Sequence, residues 1–216
     1  MKILVTGCAG FIGYHLIVKL NNLGHKVYGV DNLNNYYDVN LKKDRIKDLK
    51  KNKLFHFEKL DILKEKKLEK IFKKKIDIVI NLAAQGGVQY SFKKPSTYIK
   101  SNIIGFYNIL ELSKRYNIKK ILFASSSSVY GSIKNKKFSE NLKVDSQISL
   151  YAATKKSNET IANYYANNFG ITILGMRFFT VYGPLGRPDM SYYKFFYLHK
   201  KKKKIALYNY GNHSRD

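Results

Sequence analysis

The chain has 216 residues, of which 44% are hydrophobic, and its 40 Lys and Arg against 15 Asp and Glu give a formal charge of +25. This length and content exclude intrinsic disorder and provide a core for at least one large domain. One cysteine excludes an internal disulfide framework, and no apolar run approaches the roughly 18 residues of a membrane span. A soluble cytoplasmic protein with no membrane partner is therefore predicted.

The strong positive charge raises the question of nucleic-acid binding. Only five of the 40 basic residues are arginine, the preferred side chain for reading phosphates and base edges. The lysines cluster where exposed helix faces and loop ends are expected, as in Lys64–Lys75 and Lys200–Lys204. We therefore attribute the charge to a lysine-rich composition and predict no nucleic-acid partner.

Short apolar runs alternate with longer amphipathic stretches, which is the pattern of βαβ units in a parallel sheet. The apolar runs predict strands at Lys2–Thr6, Lys26–Val30, Leu54–Lys59, Asp77–Leu82, Lys120–Ala124 and Thr172–Phe178. Helical periodicity is clearest at Phe11–Leu23, Leu63–Lys74, Pro95–Tyr116 and Tyr151–Phe169. The predicted fold is α/β, a Rossmann doubly wound parallel sheet.

The pattern changes after about residue 185, where a Gly/Pro-rich turn precedes an aromatic and basic helix and a short strand at Ile205–Tyr210. This change predicts the start of a smaller C-terminal lobe. We expect two units, a cofactor-binding Rossmann domain over residues 1–178 and an incomplete substrate-binding lobe over residues 179–216.

The first strand runs into a glycine loop that opens the first helix. Gly7, Gly10 and Gly13 stand in the spacing G-x-x-G-x-x-G, which permits a tight turn and close approach of a pyrophosphate to the backbone. The helix N-terminus then favours the anion. The second strand ends in Asp31, placed to bind the adenosine ribose hydroxyls and to repel the extra phosphate of NADP. An NAD site is predicted, with a glycine-rich structural turn as the alternative.

Weaker cofactor contacts are predicted where later strands end. Asp61 follows the third strand on the adenine side, and the small residues of Leu82–Gln85 follow the fourth. Asn102, in a predicted helix, offers an amide that bridges strand and cofactor, although packing explains each of these residues equally well. The predicted cofactor set is Gly7, Ala9, Gly10, Phe11, Ile12, Gly13, Asp31, Asn32, Asp61, Ile62, Leu82, Ala83, Ala84, Asn102, Tyr151, Lys155 and Phe178.

Tyr151 and Lys155 stand at i and i+4 of a predicted helix and share one face, and upstream the fifth strand ends in serines 125–128. With the motifs TGCAGFIG, DNLNNYYD, NLAAQGGVQYS, SSSSVYG, YAATK and RFFTVYGPLGRPDM, the chain resembles the extended short-chain dehydrogenases/reductases. Within them it is similar to the NAD-dependent nucleotide-sugar epimerases and dehydratases along essentially its whole length. The last motif most resembles the UDP-glucuronate 4-epimerases.

The resemblance implies a catalytic trio of Ser126, Tyr151 and Lys155. A free tyrosine has a pKa of about 10, and a nearby Lys155 ammonium and a positive nicotinamide should lower the pKa of Tyr151. Tyr151 then accepts the proton of a sugar hydroxyl, Ser126 hydrogen-bonds the reacting oxygen and Lys155 binds the nicotinamide ribose. Hydride transfer to NAD, and its return to the other face of a 4-keto sugar, inverts C4.

Two of the serines bear on the reaction and substrate. Ser127 and Ser128 stand where related dehydratases carry an Asp–Glu pair that removes water, so dehydration is disfavoured. By resemblance to the glucuronate epimerases, these serines, Thr180 and Arg187 surround the sugar carboxylate, because the 4-keto acid readily loses carbon dioxide unless it is held. Anchoring the Gly183–Pro188 turn is the alternative role of Arg187. The predicted substrate set is Gln85, Ser126, Ser127, Ser128, Thr180, Arg187 and Arg215.

Departures from the family pattern leave the substrate open, since Leu185 replaces a common Trp and Gln89 a common Arg. The predicted function is NAD-dependent 4-epimerisation of a UDP-sugar, with UDP-glucuronate favoured. A UDP-glucose/galactose 4-epimerase and a UDP-glucuronate decarboxylase are alternatives on the same fold, and a non-enzymatic NAD-binding regulatory protein is an alternative of another class.

The resemblance also implies that the chain stops within a motif, where Arg215 matches a residue that contacts the substrate diphosphate. We expect a homodimer of the full-length protein. The five histidines show no metal-ligand spacing, so no metal site is predicted.

Overall fold

The centre of the molecule is a six-stranded parallel sheet. The computed structural model describes residues 1–132 and 137–212, and the strand order is β3-β2-β1-β4-β5-β6. This order confirms the predicted Rossmann sheet, and the predicted strand ends agree to within two residues. The strands are β1 Lys2–Thr6, β2 Lys26–Asp31, β3 Phe55–Lys59, β4 Ile78–Asn81, β5 Lys120–Ser126 and β6 Thr172–Phe178.

Helices cover both faces of the sheet, as the crossover connections of parallel strands require. A π-helical segment at Ile99–Ile104 joins two of them, and 3₁₀ turns lie at Ser127–Tyr130 and Tyr208–Gly211. The helices are α1 Phe11–Asn22, α2 Val39–Leu49, α3 Glu65–Phe72, α4 Val88–Lys93, α5 Pro95–Tyr98, α6 Gly105–Arg115, α7 Leu150–Phe169 and α8 Ser191–Lys200. Among the described residues, none of these helices has the length and apolar character needed to cross a bilayer.

Two apolar layers hold the helices to the sheet. Successive side chains of a strand point to opposite faces, so Ile3 and Val5 of β1 pack with Ile17 of α1 and Ile46 of α2. Leu4 lies in the opposite layer, which α3, α6 and α7 complete. Full burial of each such side chain stabilises the fold by about 1.5–3 kcal/mol. The layers therefore fix the helices that begin at the carboxyl end of the sheet.

The short helix α4 was not predicted, and two further features differ from the prediction. Helix α2 was not predicted; it begins after Asp38, whose Oδ1 accepts from the N–H of Asn40 at 2.8 Å, but its lysine-rich sequence conceals the apolar stripe. The predicted strand at Ile205–Tyr210 is wrong. Residues 205–207 are irregular and the next four form a 3₁₀ turn, because Ile205 and Leu207 are 37% and 60% exposed and no strand in the described ranges pairs with them.

The strand order also indicates where a ligand-binding crevice should lie. β1 and β4 are neighbours, but the chain continues from β1 to β2 toward one edge of the sheet and from β4 to β5 toward the other edge. Open α/β sheets bind ligands at the carboxyl ends of the strands next to such a switch point. The predicted boundary at residue 178 falls at the end of β6, and the division of the chain there stays a prediction.

Candidate active site

A cavity of about 600 Å³ opens at the carboxyl ends of the strands. It brings together most of the residues that the sequence singled out, from both the glycine loop and the catalytic motif. Its wall contains Gly7, Gly10, Phe11, Ile12, Gly13, Asp31, Asn32, Asp61, Ile62, Leu82, Ala83, Ala84, Gln85, Ser126, Ser127, Ser128, Tyr151, Lys155, Phe178, Thr180 and Arg187. Arg215 lies outside the described residues.

The glycine loop is close-packed and fits a dinucleotide. Gly7 has φ +70°, and a Cβ there would lie 2.7 Å from the backbone nitrogen of Ala83. A Cβ on Gly13 would lie 2.4 Å from the carbonyl oxygen of Gly7. Gly10 precedes α1 and no side chain caps the helix, so its first-turn N–H groups face the cavity as donors for a phosphate.

Asp31, the predicted ribose ligand, is held by two backbone N–H groups. Its carboxylate accepts from the N–H groups of Ala9 at 3.1 Å and Leu33 at 2.8 Å. Burial raises the pKa of Asp31, against the opposing effects of the Leu33 N–H and of Lys42. Beside it, Asn32 Nδ2 donates to Asp61 Oδ2 at 2.9 Å, which ties the ends of β2 and β3 together.

Two predicted cofactor residues do not reach the cavity wall. Asn102, in the π-helical segment, is 1% exposed and accepts from the Gln85 N–H at 2.7 Å, while its Nδ2 donates to Thr154 Oγ1 at 3.0 Å. Its amide therefore links the loop after β4 to α7. Ala9 is fully buried and contacts Asp31 through its N–H.

The catalytic trio meets at the ends of β5 and α7. Ser126 ends β5, and its Oγ accepts from the N–H of Ser128 at 3.1 Å. Ser149 caps α7 by accepting from the Ala152 N–H at 3.1 Å, so Tyr151 stands in the first turn. Lys155, one turn later, donates from Nζ to the Ala124 carbonyl at 2.8 Å.

The expected depression of the Tyr151 pKa is wrong for the protein's own groups. Burial raises the pKa of Tyr151, and the Ser126 hydroxyl and the Arg187 charge oppose this only in part. Lys155 is directed at a carbonyl, with Nζ 6.0 Å from the centroid of the Tyr151 ring. Burial lowers the pKa of Lys155 itself to about 8.

An ion pair between α7 and β6 lies next to these three residues. Glu159, one further turn along α7, accepts from the Nε and Nη2 of Arg177 at 2.9 and 3.0 Å. The Ser125 hydroxyl donates to the same carboxylate at 2.6 Å. α7, β5 and β6 are therefore joined directly behind Ser126 and Tyr151.

The loop after β6 forms the part of the cavity that was predicted to bind substrate. Thr180 and Arg187 line it together with Ser127 and Ser128. Arg187 donates from Nε and Nη2 to the two carboxylate oxygens of Asp189, at 3.0 and 2.6 Å. Burial alone would lower the pKa of Arg187, but the Asp189 carboxylate raises it above its usual value. A guanidinium held by Asp189 therefore lines the same cavity as Ser126 and Tyr151.

Comparison with known proteins identifies the family of the chain. A family model described as the NAD dependent epimerase/dehydratase family matches residues 3–216. The chain belongs to this family.

Two relatives align with this chain over all or nearly all of its length. Protein CapI of Staphylococcus aureus is 51% identical over 216 residues, which are 100% of this chain and 65% of CapI. UDP-glucuronate 4-epimerase 4 of Arabidopsis thaliana is 47% identical over 99% of this chain and 49% of that protein.

A solved structure has the same architecture. UDP-glucuronic acid 4-epimerase from Bacillus cereus, in complex with UDP-glucuronic acid and NAD, superposes with a TM-score of 0.89 at 39% identity, over 95% of this chain and 65% of that chain. The chain therefore spans about half to two thirds of the length of the proteins it matches.

Several residues in and around the cavity were absent from the predicted sets, and three of them are Tyr36, Asp189 and Arg45. Tyr36 and Asp189 line the cavity beside Arg187. Arg45 of α2 is buried, and its Nη1 donates to the Ala9 carbonyl and the Tyr37 hydroxyl, both at 2.8 Å. For Arg45 the sequence offered one signal, the scarcity of arginine, since the chain has only five in 216 residues.

Arg45 joins the two ends of the site. Its Nη2 donates to the carbonyls of Leu185 and Gly186, and His15 Nε2 lies 2.9 Å from the Pro184 carbonyl. The turn that the sequence offered as an alternative partner for Arg187 is therefore anchored by Arg45 and α1. Arg187 remains directed into the cavity.

Proposed function

We propose that the full-length protein carrying this chain is an NAD-dependent epimerase that inverts C4 of UDP-glucuronate to give UDP-galacturonate. One observation carries the proposal: Ser126, Tyr151 and Lys155 line the same cavity as the glycine loop and the Arg187 loop. The UDP-glucuronate 4-epimerases among the relatives support it.

The residues present fit NAD. Gly7 and Gly13 let the loop pack closely against its own backbone and that of Ala83, and the uncapped start of α1 offers N–H donors to a pyrophosphate. Asp31 accepts ribose hydroxyls while repelling a 2′-phosphate. Lys155 is within the wall where the nicotinamide ribose would lie. Bound NAD would supply reversible hydride transfer, which no side chain of this site provides.

Proton transfer is the task of Tyr151. Its phenolate accepts the proton of the C4 hydroxyl, and the Ser126 hydroxyl donates a hydrogen bond to the same oxygen. Because burial raises the pKa of Tyr151, the phenolate requires positive charge beside it when substrate binds. Arg187 already acts in this direction, and Lys155 adds its charge when its ammonium turns from the Ala124 carbonyl.

Arg187 and the hydroxyl groups near it bind the carboxylate of the sugar. A 4-keto glucuronate is a β-keto acid, so its carboxylate must be kept from aligning with the new carbonyl. The guanidinium of Arg187 and the hydroxyls of Ser127, Ser128 and Thr180 surround that position in the cavity wall. Ser127 and Ser128 also stand where dehydratases carry the carboxylate pair that removes water, which favours epimerisation over dehydration.

Tyr151→Phe tests the proposal in the full-length protein, incubated with UDP-glucuronate and NAD and analysed by anion-exchange chromatography. The unaltered protein should form UDP-galacturonate, and the variant should be slower by about 10²–10⁴-fold, because the base that takes the hydroxyl proton is gone. Tyr164→Phe is the matched control, since Tyr164 is an exposed tyrosine of the same helix, outside the cavity. Equal rates for Tyr151→Phe and the control would contradict the catalytic role.

A second candidate substrate is a neutral UDP-hexose. The observation that favours it is that the Arg187 fork already pairs with Asp189, so a sugar without a carboxylate leaves no charge unmatched. UDP-glucose in the same assay distinguishes the two: conversion of UDP-glucose but not of UDP-glucuronate would replace the first proposal by the second.

A further inference from the structure

The Arg187 guanidinium is held along one edge. Nε and Nη2 donate to Asp189 at 3.0 and 2.6 Å, and the Tyr36 hydroxyl donates to Asp189 Oδ2 at 3.0 Å. The Tyr36 ring also lies below the guanidinium, with its centroid 5.8 Å from Arg187 Cζ. All three residues line the cavity, although Tyr36 and Asp189 are separated by 153 residues.

Two glycines make room for this arrangement. A Cβ on Gly86 would lie 3.0 Å from Arg187 Nη1, and a Cβ on Gly87, which has φ +92°, would lie 2.2 Å from the Tyr36 hydroxyl. Because Arg187 bonds to Asp189 through Nε and Nη2, its third nitrogen, Nη1, takes no part in that pair. Its donors are available to a ligand in the cavity.

We propose that Asp189 and Tyr36 are positioning residues that orient Arg187, so that Nη1 meets the sugar carboxylate and holds it out of line with the C4 carbonyl. The inference rests on the proposed function, because it concerns UDP-glucuronate in the same cavity. A guanidinium paired through two parallel hydrogen bonds has a fixed plane, whereas an unpaired one rotates. Tyr36 fixes Asp189 in turn.

The property under control is the fate of the 4-keto acid. Loss of carbon dioxide breaks the C5–C6 bond, its electron pair moves toward the C4 carbonyl to form an enolate, and a proton from water takes the place of the carboxyl group on C5. The bond breaks only when it is aligned with the carbonyl π system. A loosened Arg187 therefore diverts the keto acid to carbon dioxide and a 4-keto pentose.

The test measures carbon dioxide and UDP-galacturonate formed by the full-length protein from UDP-glucuronate labelled with ¹⁴C at C6, in the presence of NAD. For Asp189→Asn we expect the ratio of carbon dioxide to UDP-galacturonate to rise about tenfold, because a charge-assisted pair is lost. For Tyr36→Phe, which loses one hydroxyl, we expect a smaller rise of about threefold. A purely structural role would lower both products together and leave the ratio unchanged.

The chain offers matched controls. The Tyr14 hydroxyl donates to Asp48 Oδ2 at 2.7 Å outside the cavity, so Asp48→Asn and Tyr14→Phe repeat the two changes at a distance and should keep the ratio of the unaltered protein. If Asp189→Asn does not fold, the ratio of carbon dioxide to UDP-galacturonate formed by Tyr36→Phe tests the inference by itself.

The two possible failures are distinguishable. An unchanged ratio in Tyr36→Phe and in folded Asp189→Asn, with UDP-galacturonate formed by the unaltered protein, overturns this inference alone, as does an equal rise in the controls. Absence of UDP-galacturonate from the unaltered protein overturns the proposed function and this inference with it.

Discussion

Lys155 is 3% exposed, and its ammonium has one hydrogen-bond acceptor, the Ala124 carbonyl, among the bonds found for the described residues. Burial lowers its pKa from the usual 10.5 to about 8. Protonated Lys155 therefore destabilises the fold while preparing a cation beside Tyr151. The proposed catalytic role of Lys155 and the stability of the fold therefore place opposite demands on this residue.

The free energy of unfolding should reveal this cost. Between pH 8 and 10.5 the unfolded chain binds the Lys155 proton that the folded chain has lost, so stability rises with pH across this window. Lys155→Met removes the effect and should gain roughly 2–3 kcal/mol at pH 7 while losing activity. Urea unfolding at pH 7 and at pH 10.5, without added nucleotide, checks it.

The comparison of the two pH profiles isolates Lys155 from the other lysines and tyrosines, which titrate in both proteins. Parallel profiles for the unaltered protein and Lys155→Met would contradict the lowered pKa.

Single residues were predictable where a short spacing carries the chemistry. Gly7, Asp31 and Tyr151 are recognisable because a strand, a turn and a helix face fix their neighbours within a few positions. Tyr36 and Asp189 were not predictable, since their hydrogen bond joins positions 153 residues apart and no local pattern marks it. The raised pKa of Tyr151 was missed for a similar reason, because burial depends on the whole cavity.

Helix α2 matters at the scale of elements, because Arg45 connects it to the glycine loop and to the loop after β6. Arg45→Met leaves the carbonyls of Ala9, Leu185 and Gly186 without this donor. We expect a loss of about 3 kcal/mol in the free energy of unfolding, since buried acceptors lose their partner. Thermal or urea unfolding followed by circular dichroism measures it.

Arg115→Met is the control for this prediction. Arg115 is an exposed arginine of α6 that pairs with Glu65 and Glu69, and exposed pairs contribute little. Equal losses in the two variants would refute the connecting role of Arg45.

Elements were predictable where their apolar residues face the core. Strands such as β1 and β4 were found because both faces of the sheet are covered there, which leaves short runs of Val, Ile and Leu. Helix α2 was missed because its buried face includes Lys42 and Arg45. The strand predicted at Ile205–Tyr210 failed because an apolar alternation becomes a strand only beside a partner.

At the scale of the whole molecule, the homodimer of the full-length protein stays a prediction. Ile104, Tyr107 and Tyr164 expose apolar surface on the π-helical segment, α6 and α7, and exposed apolar surface of this kind favours association. Light scattering after size exclusion should give twice the mass of one chain, and Tyr107→Asp should lower it. A single-chain mass at micromolar concentration would contradict the prediction.

The bonds from Arg45 to residues 185 and 186 have a consequence for the order of events during synthesis. A ribosome that adds about 5–20 residues per second releases the loop after β6 roughly 7–30 seconds after Arg45. Through that interval the nascent chain already contains the whole glycine loop, but the acceptors for Arg45 Nη2 do not yet exist. The nucleotide end of the protein is thus finished only when a segment translated 140 residues later arrives.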